Sequence, residues 1–371
     1  MNVRFCRYVH IPSQRIDPKI GLLEPVAHER MPKNAHDSAV EWLLQSKDPS
    51  IRYFTLIDIL DKPKDSLEVE KNWRLIPSGP KVCILLDGQQ TNGGFGVHPY
   101  QKWTGAHWRL VSLVELGLPS GFRHAVRATD LVLEWLLGEA HLRNVPKING
   151  RYRRCASQEG NALAVCSRLG LAEDPRVVKL AESLVGWQWA DGGWNCDRNP
   201  EADHSSVNES LSTLWGLVEY QRATGDRDFL KHIERASEFF LQHHLFRSDH
   251  TGEIIHSDMV KLHYPLYWHC DILQELVILS RAGKLGDPRT GEALDIVEKK
   301  RGPDGLWYAE DYYWNMKRKV STKVKVSNVE VVNWGRIGPN EFITLNALRV
   351  FKASGRKISV KPFSSLVDEK N

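Results

Sequence analysis

Five short segments carry most of the residues that could do chemistry, and each lies at the start of an apolar helix. They are Trp103–Trp108, Cys155–Asn161, Asp203–Glu209, Tyr267–Asp271 and Gly338–Phe342. The free N–H groups and the positive dipole end of a helix start favour a nearby carboxylate or anionic ligand. Alignment of the repeats places the five segments at one level. The sequence therefore predicts one site assembled from several helices.

Acids, histidines, a thiol, amides and aromatic rings make up the candidate site. The candidate catalytic residues are Asp271, His269, His204, Glu159 and Asp203. The candidate substrate-binding residues are His107, Trp103, Trp108, Cys155, Asn208, Tyr267, Trp268 and Asn340. Helix capping or packing is the ordinary role for any one of them. Their recurrence at equivalent places is what favours a shared site.

Repeats in the chain are expected to position these segments. The tract Trp187–Trp194 reads WQWADGGW, with shorter relatives at Gln90–Phe95 and Gly302–Trp307. Between such tracts an apolar helix, a glycine turn and a second helix follow in order. Asp174-Pro-Arg176 and Asp287-Pro-Arg289 fit helix starts, because Asp caps free N–H groups and Pro is tolerated in the first turn. Two helices per repeat follow, and such hairpins bury a core by stacking on their neighbours.

The periodicity predicts about five or six helical hairpins. Helices are predicted at residues 39–44, 51–60, 107–118, 122–137, 161–171, 177–187, 211–224, 228–244, 272–283, 290–300 and 342–353. The expected fold is all-α, a closed barrel instead of an open solenoid, because Gly and Trp at each junction need close packing between hairpins. Residues 1–35 are expected to form an extended arm, residues 36–355 a single barrel domain, and residues 356–371 a tail.

The repeated tracts also carry a resemblance to known families. Gln188–Trp194 resembles the Gln-Trp repeats of squalene and oxidosqualene cyclases. Gly93-Gly-Phe95 resembles the glycine-phenylalanine repeats of protein prenyltransferase β subunits. Both families fold as α/α toroids around a central cavity, so the resemblance implies that fold over about residues 36–355.

The string His269-Cys-Asp-Ile-Leu-Gln-Glu275 resembles the acid segment of oxidosqualene cyclases. The resemblance implies that Asp271 is a general acid, and a carboxyl kept protonated in a dry cavity suits that work. The chain lacks the Asp-x-Asp-Asp cluster of squalene-type cyclases and has one toroid instead of two. We therefore expect proton-initiated cyclisation, isomerisation or hydration of a small isoprenoid or other apolar alkene. Cation–π contacts would come from Trp103, Trp108, Tyr267 and Trp268.

Zinc is the cofactor that the prenyltransferase resemblance brings in. In those subunits an Asp-x-Cys pair and a later His bind zinc, and the matching stretch here is Asp203-His-Ser205, with His269 as a third group. Ser205 is a poor zinc ligand compared with a thiolate. An alternative zinc set consists of His107, Cys155, His204 and His269. No cofactor is firmly predicted, and a zinc-dependent transferase stays an alternative.

Two further classes of function stay open. Other α/α barrels are glycosidases and uronate lyases, which need two carboxylates within about 5–10 Å. Glu159, Asp203, Glu209 and Asp271 could supply that pair. A non-catalytic scaffold for a lipid or a protein would instead use every polar residue of the five segments as a helix cap.

Composition sets the outer limits. The net charge of +4, from 50 basic and 46 acidic residues, does not call for a nucleic-acid partner. The one local exception is the basic segment 316–326, which fits a solvated insertion or an anion site. No stretch is long and apolar enough for a membrane span, and the six cysteines show no paired Cys-x-x-Cys spacing. A reduced, cytoplasmic protein with a small apolar substrate is expected.

Overall fold

The computed structural model describes residues 38–265, 267–316 and 329–356. The expected N-terminal arm, residues 317–326 of the basic segment and the tail after residue 356 lie outside the described residues. Within the described ranges, no helix is long and apolar enough to cross a membrane.

Helices make up most of the described chain. They are α1 (Ser38–Leu44), α2 (Pro49–Phe54, continued by a π turn at Thr55–Ile59), α3 (Leu67–Leu75), α4 (Pro80–Leu86), α5 (Ala106–Glu115), α6 (Arg123–Leu137), α7 (Glu139–Leu142), α8 (Ser157–Arg168), α9 (Pro175–Trp187), α10 (Val207–Thr224), α11 (Leu230–Gln242), α12 (Ile272–Arg281), α13 (Gly291–Lys299) and α14 (Glu341–Ala353). Short 3-10 turns lie at Ile76–Ser78, Arg227–Phe229, Ser257–Val260 and Pro288–Thr290. The strands are β1 (Lys147–Ile148), antiparallel to β2 (Arg151–Tyr152), and β3 (Asn315–Met316), parallel to β4 (Val329–Glu330).

The helices form a closed ring in two layers. In the inner layer, α5, α8, α10, α12 and α14 pack on one another in that order, and α14 packs on α2. Gly117, after α5, lies against the Phe54 ring at the end of α2, which closes the ring. In the outer layer, α6, α9, α11 and α13 each pack on the inner helix before them. The predicted α/α toroid is thereby confirmed.

Burial distinguishes the two layers. Inner helix α10 is buried almost along its whole length, whereas outer helix α11 buries one face. A helix that is apolar or buried all round belongs inside, and an amphipathic one belongs at a surface. A polar residue on an inner helix is therefore usually buried, so we expect it to have a hydrogen-bond partner or a functional role.

Two mid-helix glycines set the closest contact of the ring. A Cβ at Gly160 of α8 would lie 2.6 Å from the carbonyl oxygen of Ser212, and one at Gly216 of α10 would lie 2.4 Å from the carbonyl oxygen of Gly160. Glycine inside a helix costs about 0.5–1 kcal/mol relative to alanine. The contact offsets that cost by letting the two backbones touch, so the first turn of α8 packs directly on the middle of α10.

The glycine-tryptophan tract has a structural role, as its pattern predicts. Trp194 donates from Nε1 to the carbonyl of Leu184 at 2.8 Å, at the end of α9. Gln188 donates from Nε2 to the carbonyl of His232 in α11 at 3.0 Å. Gly192 has φ +101°, and a Cβ there would lie 2.2 Å from the backbone oxygen of Arg235. The tract therefore joins consecutive outer helices and carries no free reactive group of its own.

The predicted helix starts agree with the structure in some repeats and differ from it in others. Asp174 and Asp287 accept the N–H groups of Arg176 and Arg289, as their Asp-Pro-Arg spacing predicts. By contrast α8 and α10 begin at Ser157 and Val207, earlier than predicted, because their first turns bury polar residues that break the apolar period. The segment before residue 90 holds α3 and α4, which the periodicity did not predict.

The C-terminal ends of the inner helices hold a network of paired charges. Glu115 of α5 accepts from Arg168 of α8 at 2.5 Å and from Arg281 of α12 at 3.1 Å. Arg281 also reaches Glu219 of α10 at 3.5 Å. Burial alone would raise the pKa of Glu115, but Arg281 and Arg168 hold that pKa at about 2. This network ties together four inner helices of the ring.

Candidate active site

Asp271 caps the N-terminus of α12 and is fully buried. Its Oδ1 accepts the N–H of Gln274 at 2.9 Å, and its Oδ2 accepts the N–H of His263 at 2.9 Å. The same Oδ2 lies 3.0 Å from Nδ1 of the His263 ring. Both carboxylate oxygens of Asp271 are thus acceptors. Neither oxygen of Asp271 is therefore left without a hydrogen-bond donor.

His263 is the second member of this buried pair. Burial by itself lowers the pKa of His263, but the Asp271 carboxylate and its hydrogen bond raise it by more, so the net pKa is raised. The other ring nitrogen, Nε2, is buried and makes no hydrogen bond to the described residues. The imidazole therefore contacts Asp271 through Nδ1, whereas its Nε2 has no hydrogen-bond partner among the described residues.

Glu275 lies one helical turn after Asp271 and is fully buried. Neither of its carboxyl oxygens makes a hydrogen bond to the described residues. Burial, and then the charge of Asp271, raise the pKa of Glu275 well above its ordinary value of 4.5. A raised pKa favours the protonated form of a carboxyl, and that form carries a proton that it can donate.

His269 does not contact Asp271, although the two are close in sequence. Its ring is stacked between Tyr313, at 3.5 Å between centroids, and Trp268, at 4.1 Å. Burial, and then the charges of His263 and Lys102, lower the pKa of His269 well below 6.5. The histidine that pairs with the aspartate is His263, and His269 is a neutral ring in an aromatic stack.

Aromatic side chains from the first and fourth segments pack together. Trp103 stacks on Tyr267 with centroids 3.8 Å apart and planes 4° apart. Trp108 meets both rings edge-on, at 4.9 Å from Trp103 and 5.5 Å from Tyr267. Tyr267 has φ +48°, a left-handed backbone that is rare for a side chain of this size. Its buried hydroxyl makes no hydrogen bond to the described residues.

His107 faces the layer between inner and outer helices. It lines a small void with Thr129 of α6 and Cys166 of α8, and its ring contacts Trp135 of α6. Burial lowers the pKa of His107 to about 3. The structure therefore separates His107 from the acids at the start of α12.

Glu159 lies in the first turn of α8. Its Oε1 accepts from Nε of Arg154 at 2.9 Å and lies 3.0 Å from Nε2 of His141. Its Oε2 is buried and makes no hydrogen bond to the described residues. Burial raises the pKa of Glu159 to about 7 in spite of the ion pair with Arg154. This acid is half paired, between the extremes of Asp271 and Glu275.

Glu209, in the first turn of α10, lies beside two thiols. Its Oε2 accepts the N–H of Ser157 at 2.9 Å, and its Oε1 lies 3.6 Å from Sγ of Cys196. Ligand atoms of Cys155, Cys196 and Glu209 all lie within 4.8 Å of one another. Burial, and then the charges of Glu275, Asp271 and Glu209, raise the pKa of the Cys270 thiol. Cys270 therefore links this group to the acids of α12.

Asp203 and His204 do not join the buried groups. They pair with each other at 3.3 Å, and the Asp203 side chain is 46% exposed. The His204 ring lies against His250, at 5.6 Å between centroids. Ser205 donates from Oγ to Asp191 at 2.6 Å. The residues that would match the prenyltransferase zinc site are therefore not arranged to bind a metal.

The predicted zinc set of His107, Cys155, His204 and His269 is also not assembled. Those four side chains lie in the interlayer void, beside Glu209, at the surface and in an aromatic stack, respectively. Separate repeats supply them, and no local spacing could test whether they converge. Their predicted convergence is wrong.

Asn340 is a helix cap. Its Oδ1 accepts the N–H groups of Phe342 and Ile343 at 3.0 and 3.1 Å, and its Nδ2 donates to the carbonyl of Trp334 at 2.8 Å. The amide is therefore used on both sides, which does not fit the predicted substrate contact. Asn208, by contrast, has a buried Oδ1 that accepts no hydrogen bond from the described residues.

Sequence reasoning missed His263 and Cys196. His263 opens the run His-Tyr-Pro-Leu-Tyr-Trp-His269, and a histidine leading an aromatic stretch into a helix start was the available signal. Cys196 lies two residues after Trp194, outside the five candidate segments. Its only signal was its place in the loop that leads to the Glu209 turn.

The fold and these side chains define an α/α toroid protein with buried acids at the N-terminal ends of its inner helices. No family model matches the chain, and no curated protein does. Among solved structures it is similar to type II terpene cyclase MstE from Scytonema. The complex with merosterolic acid A matches at 13% identity and TM-score 0.41 over 86% of this chain and 96% of that chain, and the apo form at 14% and 0.38 over 86% and 97%.

An unsaturated glucuronyl hydrolase specific for heparin is similar at 10% identity and TM-score 0.40, over 86% of both chains. At these TM-scores the likeness supports no activity for this chain. The toroid is established by the chain's own helix packing.

Proposed function

We propose that this protein is an enzyme that donates a proton from a buried carboxylic acid to a small isoprenoid or other apolar alkene. The products would arise by cyclisation, isomerisation or hydration. The observation that carries the proposal is Glu275, a fully buried carboxyl with no hydrogen-bond partner for either oxygen among the described residues. A native protein has few such groups, and each calls for an explanation.

The contacts favour Glu275 over Asp271 as the proton donor. Asp271 accepts N–H groups on both oxygens and pairs with His263, so both of its oxygens are already engaged. Glu275 has no hydrogen-bond donor to its carboxyl group among the described residues, and burial and the neighbouring Asp271 raise its pKa. Asp271 then acts as a positioning residue that keeps Glu275 protonated, and the predicted role of general acid moves one helical turn along the same helix face.

Aromatic rings near the helix starts suit a cationic intermediate. A positive charge is attracted to the face of Trp or Tyr, by about 2 kcal/mol or more when it is desolvated. Nζ of Lys102 already lies over two of the rings, 4.5 Å from the centre of Trp268 and 5.5 Å from the centre of Trp103. We therefore assign the stabilising contact to Trp108 and Tyr267.

A purely structural scaffold fits this end of the ring less well. It would use every polar residue of the five segments as a helix cap, as Asn340 is used. Buried atoms of Glu159, Asn208 and Tyr267 instead make no hydrogen bond to the described residues. Leaving a buried polar group unpaired costs about 1–3 kcal/mol, so selection for stability alone would remove such groups.

Carbohydrate hydrolysis or elimination is a second candidate, favoured by one observation. Glu159 and Glu209 lie in the first turns of adjacent helices, and the charge of Glu209 contributes to the raised pKa of Glu159. Burial also raises the pKa of Glu209, and two neighbouring carboxyls can act as acid and base. Both already have partners, whereas Glu275 has none among the described residues, so the alkene reaction ranks first.

The test is a substrate panel run in D2O. Short prenyl alcohols and diphosphates, linear alkenes, glycosides and unsaturated uronides are incubated with the wild type and with Glu275→Gln. A proton-initiated reaction places solvent deuterium on carbon in the product, which mass spectrometry detects. We expect turnover of an isoprenoid, and a fall in kcat of about 10²–10⁴ in Glu275→Gln, the usual size of a general-acid contribution.

The matched control is Glu219→Gln, which alters an acid of inner helix α10 at the opposite end of the ring. It should keep the wild-type kcat. Full activity in Glu275→Gln would overturn the assignment of the acid. Turnover of the glycosides or uronides without alkene turnover would overturn the reaction class in favour of carbohydrate chemistry.

A further inference from the structure

Two cysteines and a glutamate converge at the start of α8 and α10. The sulfurs of Cys155 and Cys196 and a carboxylate oxygen of Glu209 all lie within 4.8 Å of one another. Oε1 of Glu209 is 3.6 Å from Sγ of Cys196. Around a shared tetrahedral zinc, with Zn–S about 2.3 Å and Zn–O about 2.1 Å, an oxygen and a sulfur would lie about 3.6 Å apart. Oε1 of Glu209 and Sγ of Cys196 therefore already have the separation that a shared tetrahedral zinc requires.

Backbone pairing brings the two thiols together. Arg153 and Asn195 form a parallel β-bridge, and the N–H of Arg154 donates to the carbonyl of Asn195 at 3.0 Å. Cys196 follows the bridge directly and Cys155 follows it after one intervening residue, Arg154, so the two chains leave the bridge side by side. The loop after Cys196 then returns to α10, where the N–H of Ser206 donates to the carbonyl of Trp194 at 2.8 Å.

Glu209 is oriented by the first turn of the neighbouring helix. The N–H of Ser157 in α8 holds Oε2 at 2.9 Å and leaves Oε1 facing the Cys196 thiol. A backbone donor that fixes the second oxygen of a ligating carboxylate is the arrangement that metal sites use to orient their ligands. Glu209 is buried, and both cysteines are partly exposed, so an ion could enter from the solvent side.

No side-chain cation contacts Glu209 in the described residues as Arg154 contacts Glu159. The guanidinium of Arg154 is used by Oε1 of Glu159 through two of its nitrogens. A divalent metal would supply the positive charge that an ionised Glu209 and two thiolates need, and its binding would release their protons.

We propose that Cys155, Cys196 and Glu209 bind one zinc ion, with a fourth coordination position left open. Thiolate ligands select soft ions, which favours zinc over magnesium, calcium or manganese. Three protein ligands and one open position are the pattern of a catalytic zinc and not of a closed structural one. The inference is independent of the proposed alkene chemistry, because zinc binding is measured without any substrate.

The test measures metal on the full chain. Wild type, Cys155→Ser, Cys196→Ser and Glu209→Gln are purified under reducing conditions from zinc-supplemented medium and examined by elemental analysis. Apo protein is then titrated with Zn²⁺ against a competing chelator, and with Cd²⁺ while thiolate-to-metal absorption is followed. Cys83→Ser is the matched control, since Cys83 is an exposed thiol of α4.

We expect one zinc per wild-type chain and per Cys83→Ser chain, and a loss of affinity on the order of 100-fold or more in each ligand variant. The Cd²⁺ absorption of the wild type gives the same answer even if a variant fails to fold. Wild-type protein that takes up neither ion, ligand variants that retain zinc at wild-type affinity, or a disulfide between Cys155 and Cys196 in the reduced preparation would each overturn the proposal. Zinc binding by wild type without alkene turnover supports this site and counts only against the proposed function.

Discussion

The two ends of the inner helices bury ionisable side chains in opposite ways. At the C-terminal end, Glu115 contacts Arg168 and Arg281, and its pKa is held at about 2. At the N-terminal end, Glu275 has no hydrogen-bond partner among the described residues, and burial raises its pKa well above 4.5. Both ends belong to the same helices, so the difference does not come from the fold as such.

The comparison separates buried charges that stabilise the protein from buried acids that the proposed function would use. Taking a carboxylate out of water is costly, and a buried pair recovers the cost only when its hydrogen bonds are complete. The C-terminal end meets that condition and links α5, α8, α10 and α12 into one ring. At the N-terminal end Asp271 meets that condition, whereas Glu159 is half paired and Glu275 has no hydrogen-bond partner among the described residues, which costs stability.

The largest expected effect comes from breaking the paired end. Glu115→Ala should lower the free energy of unfolding by about 2–4 kcal/mol, because Arg281 loses its main partner. The Glu115 side chain is 24% exposed, which places the loss below that of a fully buried pair. Urea denaturation followed by circular dichroism measures it.

The control for Glu115 is Glu70→Ala, which removes an exposed ion pair with Arg74 inside α3. Its effect should be below about 0.5 kcal/mol. If the two variants lose equal stability, the C-terminal network does not stabilise the ring.

An intermediate effect of the opposite sign is expected at the unpaired end. Glu275→Met replaces a buried carboxyl that has no partner by an apolar side chain of similar length. The free energy of unfolding should rise by about 1–2 kcal/mol, since no hydrogen bond is lost and a desolvation cost is removed. Urea midpoints of wild type and variant decide the sign, and a loss of stability would show that Glu275 is held by contacts that matter.

The smallest expected effect is the change in the free energy of unfolding per unit of pH. The folded-state pKa of Glu275 is raised, so the folded protein binds a proton that the unfolded chain releases above pH 4.5. This contribution is fully present below pH 4.5 and is lost as the pH rises through the folded-state pKa. Glu275→Gln should therefore flatten the fall of the free energy of unfolding with pH, by at most about 1.4 kcal/mol per pH unit.

Calorimetry of both proteins at several pH values measures that slope. Raised pKa values of His263 and Glu159 act in the same direction, so the wild-type slope contains several groups and only the difference belongs to Glu275. Identical slopes in wild type and variant would mean that Glu275 is ionised in the folded protein.

Local features of this protein could be predicted with good accuracy. The Asp caps at Asp174 and Asp287, the repeat tract around Trp194 and the alternation of helices depend on residues near one another in the chain. The start of α8 was predicted too late, because Glu159 and Asn161 are polar residues buried by contacts that periodicity does not contain.

Convergence of the site residues could be predicted only in part. Glu209 lies beside Cys155 and contributes to the raised pKa of Glu159, whereas the His204 side chain is partly exposed and His107 lines the void against the outer layer. A helix start fixes the height of a residue in the ring but not the direction of its side chain. That direction depends on which neighbour offers space and hydrogen bonds.

The sequence by itself determined the helices, their turns and the toroid, because periodicity, caps and glycine-tryptophan junctions are local. Only the tertiary structure decided which buried charges have partners. His263 reaches Asp271, Cys155 reaches Cys196, and Glu115 reaches Arg281 across 8, 41 and 166 residues of chain, respectively. Whether a carboxyl is neutral or ionised, and whether thiols can share a metal, follows from those distances because electrostatic energy depends on separation in space.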